Sequence, residues 1–210
     1  MDEMISKKAI VFWSGGCDST LVLHDLIVAD DFDLRNPITV FWFDWSALNS
    51  DKLMAESKAR NKFIAWTKKK GYRNRFEVHK ISLNSELVPV DEGLPQAVGW
   101  LCMAAPYIPN HANVYIGYHR QDDFWHNYHN FDSALKYLMC VRGADDVTLQ
   151  YPLQWDTKQE IISRCKQAGI YVFTWWCENP LTRPLRKCGR CGPCLTHKLG
   201  LLEAKLRKRS

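Results

Sequence analysis

Two stretches carry residue types whose spacing can do chemistry. Ser14-Gly15-Gly16-Cys17-Asp18-Ser19-Thr20 follows a short apolar run, Ala9 to Trp13, and precedes Leu21, Leu23, Leu26 and Ile27 at near-helical intervals. This order predicts a buried strand, a tight turn and a helix whose N-terminus opens on that turn. Paired glycines let backbone N–H groups come close to a ligand. The unpaired donors and partial positive charge of a helix start suit phosphate. Ser14 and Ser19 add hydroxyl donors, and Asp18 is placed to hold a metal bound to the phosphates. No Gly-Lys-Ser/Thr follows, so the string is not a Walker loop. A glycine turn with Asp18 or Ser19 capping an ordinary helix is the plainer reading, but it does not account for seven such residues in order.

The second stretch is Cys177, Cys188, Cys191 and Cys194, with ten, two and two residues between them. Four thiolates suit tetrahedral zinc in a closed, structural site. A CxxCxxC run is also met in iron–sulfur proteins, so a [4Fe–4S] centre is the other occupant. Gly189 and Gly192 let the backbone fold its amides toward the sulfurs.

The elements that must position these residues alternate along the chain. Ile38 to Phe43 reads as a second strand ending at Asp44, whose carboxylate would face the ligand crevice of an open parallel sheet or else cap a turn. Residues 51 to 70 read as a helix, with Lys52, Lys58, Arg60, Lys62 and Lys68 to Lys70 as its solvated face. A third strand is expected at 76–82, a polar loop at 84–93 and an apolar helix at 95–108 begun by Pro95. A fourth strand at 113–117 feeds a loop through 126, followed by a helix at 130–141 and a fifth strand at 147–153. Asp156 or Thr157 should cap the next helix, with Glu160 in its first turn. Tyr171 to Trp176 reads as extended. This alternation predicts an α/β fold, a mainly parallel five-stranded sheet with helices on both faces. The expected division is 1–175 for the α/β domain and 176–210 for the cysteine knuckle and terminal helix, packed on it.

Composition narrows the class. The 210 residues carry 28 Lys and Arg against 23 Asp and Glu, a formal net charge of +5 that fits anionic ligands without arguing for nucleic acid. The basic tail, Lys198, Lys205, Arg207, Lys208 and Arg209, reads as the wet end of a helix, with nucleic-acid recruitment as a secondary reading. No apolar run is long enough to span a membrane. Met1 to Lys8 is not a secretory signal, and cysteines clustered for metal rather than paired for disulfides fit a reducing, cytoplasmic compartment. His119, His126 and His129 read as solvent or substrate contacts rather than a metal pair, and His197 as a surface histidine.

The string from Ser14 to Thr20 resembles the PP-loop, SGGxDS, of the ATP pyrophosphatase superfamily. Taken with the cysteines, the whole chain resembles the 7-cyano-7-deazaguanine synthase family of queuosine biosynthesis. Tyr115-Ile116-Gly117 followed by Asp122 resembles that family's fourth strand. Pro152-Leu153 with Thr157-Lys158-Gln159-Glu160-Ile161-Ile162, and Trp176-Cys177 with Cys188-Gly189-Arg190-Cys191 and Cys194, resemble two further segments. The resemblance implies an ATP-dependent ligase that uses ATP and Mg²⁺, with Zn²⁺ in the knuckle. It would adenylate 7-carboxy-7-deazaguanine and add ammonia to give the amide and then the nitrile. It implies Ser14, Asp18, Ser19 and Lys158 as catalytic residues. Gly15, Gly16, Cys17, Thr20, Asp44, Gly117 and Asp122 join Ser14, Asp18 and Ser19 around the nucleotide. A homodimer is also implied. Three segments depart from the family pattern: 45–49 after Asp44, Pro95-Gln96-Ala97-Val98, and Asp123 to His129 after Asp122. Because the family holds its base there, two other readings stay open, a ligase acting on another deazapurine or a protein carboxylate, and a tRNA-modifying PP-loop enzyme.

Overall fold

Alternation along the first strand already places two cores. In β1 (Lys8–Phe12) Ile10 and Phe12 point to one side, while Val11 and the following Trp13 point to the other, as a pleated strand requires. The computed structural model describes residues 7–29, 36–45, 50–83, 96–182 and 184–206. The expected polar loop at 84–93, Pro95, Ser46 to Asn49 and the tail residues Arg207, Lys208 and Arg209 lie outside the described residues.

Five parallel strands form the sheet in the order β3-β2-β1-β4-β5. They are β1, β2 (Ile38–Trp45), β3 (Phe76–Leu83), β4 (Ala112–Tyr115) and β5 (Val147–Gln150). α1 (Cys17–Val28), α2 (Ser50–Lys69) and α5 (Lys158–Gln167) cover one face around Val11, Trp13, Leu23, Phe63 and Ile161. α3 (Gln96–Ala104) and α4 (Tyr128–Arg142) cover the other around Phe12, Phe43, Leu101, Val114 and Leu135. The chain moves outward from β1 to β3, then returns to lay β4 on the opposite side of β1. That reversal opens a crevice at the C-terminal ends of β1 and β4, where ligands of such sheets bind. The expected α/β architecture is therefore present.

Several local expectations are corrected. β5 stops at Gln150, because the chain turns at 152–155 before α5. The apolar helix ends at Ala104 and tightens into a 3-10 turn through Tyr107, where Pro106 has no N–H to continue the helix. Residues 171–173 form a 3-10 turn rather than an extended piece, and 123–127 form another before α4. Thr157 caps α5 in a full capping box, its hydroxyl accepting from the Glu160 N–H while Glu160 Oε2 accepts from the Thr157 N–H at 2.8 Å. Between Cys177 and Cys188 the chain makes a small antiparallel hairpin, β6 (Leu181–Thr182) with β7 (Leu185–Arg186), which the sequence did not announce. α6 (Gly192–Leu206) then packs on α5, where a Cβ at Gly200 would meet Ile162 Cδ1 at 3.0 Å.

Candidate nucleotide site and four-cysteine cluster

The turn after β1 is built from within. Gly15 takes φ +91°, a conformation that favours glycine. Ser19 Oγ accepts the Ser14 N–H at 3.2 Å and lies 3.1 Å from Ser14 Oγ, which in turn accepts the Gly16 N–H at 3.1 Å. Gly16 starts α1 with no side-chain cap. The N–H groups of Cys17, Asp18 and Ser19, in the first turn, have no helix carbonyl to bond. Beside them Lys158 Nζ donates to both oxygens of Asp18, at 2.8 and 2.5 Å. A cavity of about 210 Å³ collects Ser14, Gly16, Cys17, Asp18, Ser19, Gly117, Asp122 and Lys158. Residues 140 positions apart thus meet at one anion-sized space.

Some of the expected residues stand elsewhere. Thr20 is fully buried and its hydroxyl accepts the Trp13 indole N–H at 3.0 Å. Asp44 pairs with Lys80 on the neighbouring strand and is not among the cavity walls. Gly15 sits behind the loop, its carbonyl accepting the Trp175 N–H at 2.9 Å. Gly117 lines the cavity and also permits a contact, since a Cβ there would lie 2.6 Å from Ser19 N and 2.8 Å from Asp18 C. Backbone cannot yield as a flexible side chain does. Gly117→Ala is therefore expected to cost about 3 kcal/mol in urea unfolding and to weaken nucleotide binding. Wild-type stability in that variant would contradict the close approach.

His119 is buried, its Nδ1 accepting the Gln121 N–H at 3.3 Å and its Nε2 3.3 Å from Asp122. Burial pushes the Asp122 carboxyl up, against the pull of the His119 N–H and ring, and the negative Asp18 adds to the rise. His126 and His129 are exposed.

Arg60 overturns its reading as part of a solvated face. It is 3% exposed, with its guanidinium 3.8 Å from the Trp42 ring and Nη1 donating to Ser14 O at 2.5 Å. The same Nη1 lies 3.7 Å from Glu56 Oε2. Burial lowers Arg60 to about 10 and raises Glu56 to about 7, in spite of Lys52 and Arg60 beside it. Lys52 and Glu56 also line the cavity, and Lys52 pairs with Glu178 across it. Because the native Glu56 keeps a proton that the unfolded chain releases above pH 4.5, stability should fall as pH rises from 4.5 through about 7. Glu56→Gln should flatten that decline by about 2 kcal/mol in urea melts at pH 5 and 8. An unchanged slope would remove Glu56 as its source.

The cavity is closed from the C-terminal side. Trp175, Trp176, Glu178, Pro193 and His197 form that wall. Four of its five residues lie within two positions of a clustered cysteine. The Sγ atoms of Cys177, Cys188, Cys191 and Cys194 all lie within 4.8 Å of one another. Backbone N–H groups point at them, Cys188 N to Cys177 Sγ at 3.2 Å and Cys191 N to Cys188 Sγ at 3.3 Å. His197, expected at the surface, is 2% exposed because α6 lays it flat on Trp176, with ring centroids 4.0 Å apart and planes 1° apart. Burial, reinforced by Lys158, lowers His197 to about 3, so the imidazole is neutral. Lys187 sits 3.0 Å over the Trp176 ring, and burial lowers it to about 8. Arg60, Lys52, Glu56, Trp175, Trp176, Glu178, Pro193 and His197 are among the site neighbours that sequence reading missed. Only the adjacency of Trp175 and Trp176 to Cys177 offered a signal. Among the described residues no helix is long and apolar enough to cross a membrane.

Residues 97–205, just over half of the chain, match the family model described as Queuosine biosynthesis protein QueC. A 7-cyano-7-deazaguanine synthase of Thermoplasma acidophilum is 26% identical over 223 residues, covering 96% of this chain and 90% of that protein. Among solved structures, the chain resembles a U34-tRNA thiolase, NcsA, from Methanococcus maripaludis with its [4Fe-4S] cluster. That likeness has a TM-score of 0.52 at 12% identity, covers 97% of this chain and 67% of the thiolase, and speaks for the fold alone. The matched region carries Gly117, Asp122, Lys158 and all four clustered cysteines, while the glycine turn upstream lines the same cavity. This chain belongs to the QueC family, ATP-using enzymes of the PP-loop type.

Proposed function

We propose that the protein is an ATP-dependent ligase that adenylates a carboxylate and converts 7-carboxy-7-deazaguanine to its nitrile through the amide. The observation that carries this reading is the pairing of Lys158 with Asp18 at the open first turn of α1. A carboxylate oxygen is a poor leaving group until it is bound to phosphate. In the first step a substrate carboxylate oxygen attacks the α-phosphorus of ATP and pyrophosphate departs with the bonding pair. The N–H groups of Cys17 to Ser19, the hydroxyls of Ser14 and Ser19 and the Lys158 ammonium would hold the developing charge. Ammonia then forms the C–N bond, AMP leaves and a proton is lost from nitrogen. A second ATP activates the amide oxygen for the nitrile step. Asp18, with Asp122 across the cavity, would hold Mg²⁺, which shields phosphate charge when bound. Of the remaining expected residues, Gly15, Gly16, Thr20 and Gly117 shape or support this site rather than react in it, and Asp44 stands apart from it, paired with Lys80.

For the cysteine cluster we propose zinc. A tetrahedral zinc site with Zn–S near 2.3 Å needs S···S edges of about 3.8 Å, and the four sulfurs lie within 4.8 Å of one another. A [4Fe–4S] cluster gives each thiolate its own iron and spreads them farther. The knuckle, 176–210, would act as one unit with the α/β domain because its residues wall the cavity. tRNA modification is the second reading, since a tRNA thiolase shares the fold.

The test is release of AMP and pyrophosphate from ATP with and without 7-carboxy-7-deazaguanine and ammonium, with the base followed by mass spectrometry. Base-dependent AMP and a nitrile product are expected. ATP binding without turnover of this base would transfer the reading to another carboxylate. Sulfur transfer to tRNA would replace it.

A further inference from the structure

His197 is a buried ionisable side chain that the reaction above does not use. Its surroundings hold it in one pose. One ring face lies on Trp176, 4.0 Å away, and Nδ1 is 3.4 Å from the Tyr171 hydroxyl. Cys194, one helical turn earlier on α6, anchors the helix that carries it. Among the described residues Nε2 is buried with no hydrogen-bond partner, an arrangement that is costly unless a ligand satisfies it. His197 nevertheless belongs to the cavity wall, together with Ser14, Asp18, Ser19 and Lys158.

We propose that His197 is a further catalytic residue of this site, a hydrogen-bond donor from Nε2 to a phosphoryl oxygen of ATP or of the departing pyrophosphate. The proposal rests on the cavity being the nucleotide site. In this assignment the Tyr171 hydroxyl, 3.4 Å away, donates to Nδ1, which places the ring proton on Nε2. The donor is then oriented before the nucleotide arrives, which is the condition under which a hydrogen bond to developing charge counts most. Lys158 supplies formal charge at the same place, and His197 supplies direction. A phosphoryl oxygen suits this nitrogen better than a carbonyl does, because the neighbouring donors, the first-turn N–H groups and the Lys158 ammonium, all favour an anion. Sequence alone hides the residue, since nothing local distinguishes a histidine three places past the last cysteine from one in solvent.

The test uses the intact metal-loaded protein, with inorganic pyrophosphate as probe. His197→Phe keeps a flat ring on Trp176 and deletes the donor. It is expected to weaken pyrophosphate binding about tenfold and to slow carboxylate-dependent ATP–pyrophosphate exchange roughly 100-fold. Metal content and melting temperature should stay at wild-type values, and His197→Gln should recover part of the loss. Should His197→Phe fold poorly, nitrogen NMR of the wild-type imidazole decides, with the signal assigned by its absence in His197→Gln. A shifted Nε2 resonance on adding pyrophosphate supports the contact, and an unmoved one overturns it. Equal pyrophosphate affinity in wild type and His197→Phe also overturns it. If pyrophosphate binding depends on His197 while no carboxylate drives exchange, the ligase reading fails and this contact stands.

Discussion

Lys158→Met is expected to reduce AMP formation from ATP by roughly 10²–10³-fold, the cost of losing one oriented charge-stabilising donor at a reacting centre. Among the described residues Lys158 is the cation that pairs with Asp18, so its loss removes charge from the proposed phosphate position and leaves Asp18 facing it unneutralised. The repulsion between that carboxylate and the triphosphate should appear in nucleotide affinity as well as in turnover. Stability should fall by less than turnover does. The pair is partly exposed, 16% for Lys158 and 23% for Asp18, so breaking it should cost about 1–2 kcal/mol rather than the 3–5 of a fully buried pair. Calorimetric titration of a non-hydrolysable ATP analogue, beside AMP release, separates the two effects. Lys158→Arg, which keeps the charge with a different shape, should retain some binding and little turnover. Wild-type AMP formation in Lys158→Met would remove this residue from the chemistry and leave the ion pair as a strut.

Cys191→Ser is expected to lose the metal and to weaken nucleotide binding at least tenfold, although no clustered cysteine lies among the cavity walls. The coupling is structural. Trp175 and Trp176 precede Cys177 and Glu178 follows it, while Pro193 precedes Cys194. Trp175 ties the two sites directly, its backbone N–H donating to Gly15 O at 2.9 Å and its indole N–H to Cys177 O at 2.9 Å. Metal binding to four thiolates contributes free energy on the order of 10 kcal/mol in small zinc units. Losing it should release 174–178 and the start of α6 together, and should lower stability by about 5 kcal/mol or more. Chelation of the wild type should act the same way and be reversed by added zinc. The exposed Cys102 and Cys140 serve as controls, since their serine variants should keep both metal and nucleotide. Full nucleotide affinity in the metal-free protein would show that the cavity stands without its knuckle. Colour and iron at one cluster per chain would replace zinc.

The parts legible from sequence were those set by near neighbours in the chain. A strand, two glycines and a helix start within twenty residues declare a turn suited to an anion, because backbone conformation and unpaired N–H groups are local properties. Cys188, Cys191 and Cys194 declare a thiol cluster that could hold a metal for the same reason, and Thr157 with Glu160 declares a helix start. The parallel sheet followed from strands and helices in alternation. Identical signals elsewhere meant different things once the chain was packed. Arg60 sits among lysines that do face water, but its turn of α2 falls against Trp42 and the carbonyl of Ser14, 46 residues away, and the charge is buried there. His197 is buried because α6 folds back over Trp176, a contact that no spacing in the chain encodes. Gly117 owes its importance to the backbone of Ser19, nearly a hundred positions earlier. Asp18 and Lys158 each read as plausible helix-start residues, and only the reversal of strand order between β1 and β4 brings their helices to one crevice. Sequence by itself determined the chemistry of each fragment, since that depends on covalent neighbours. Tertiary structure decided which fragments share a site, because burial and electrostatic coupling depend on distance in space, which the order of residues leaves open.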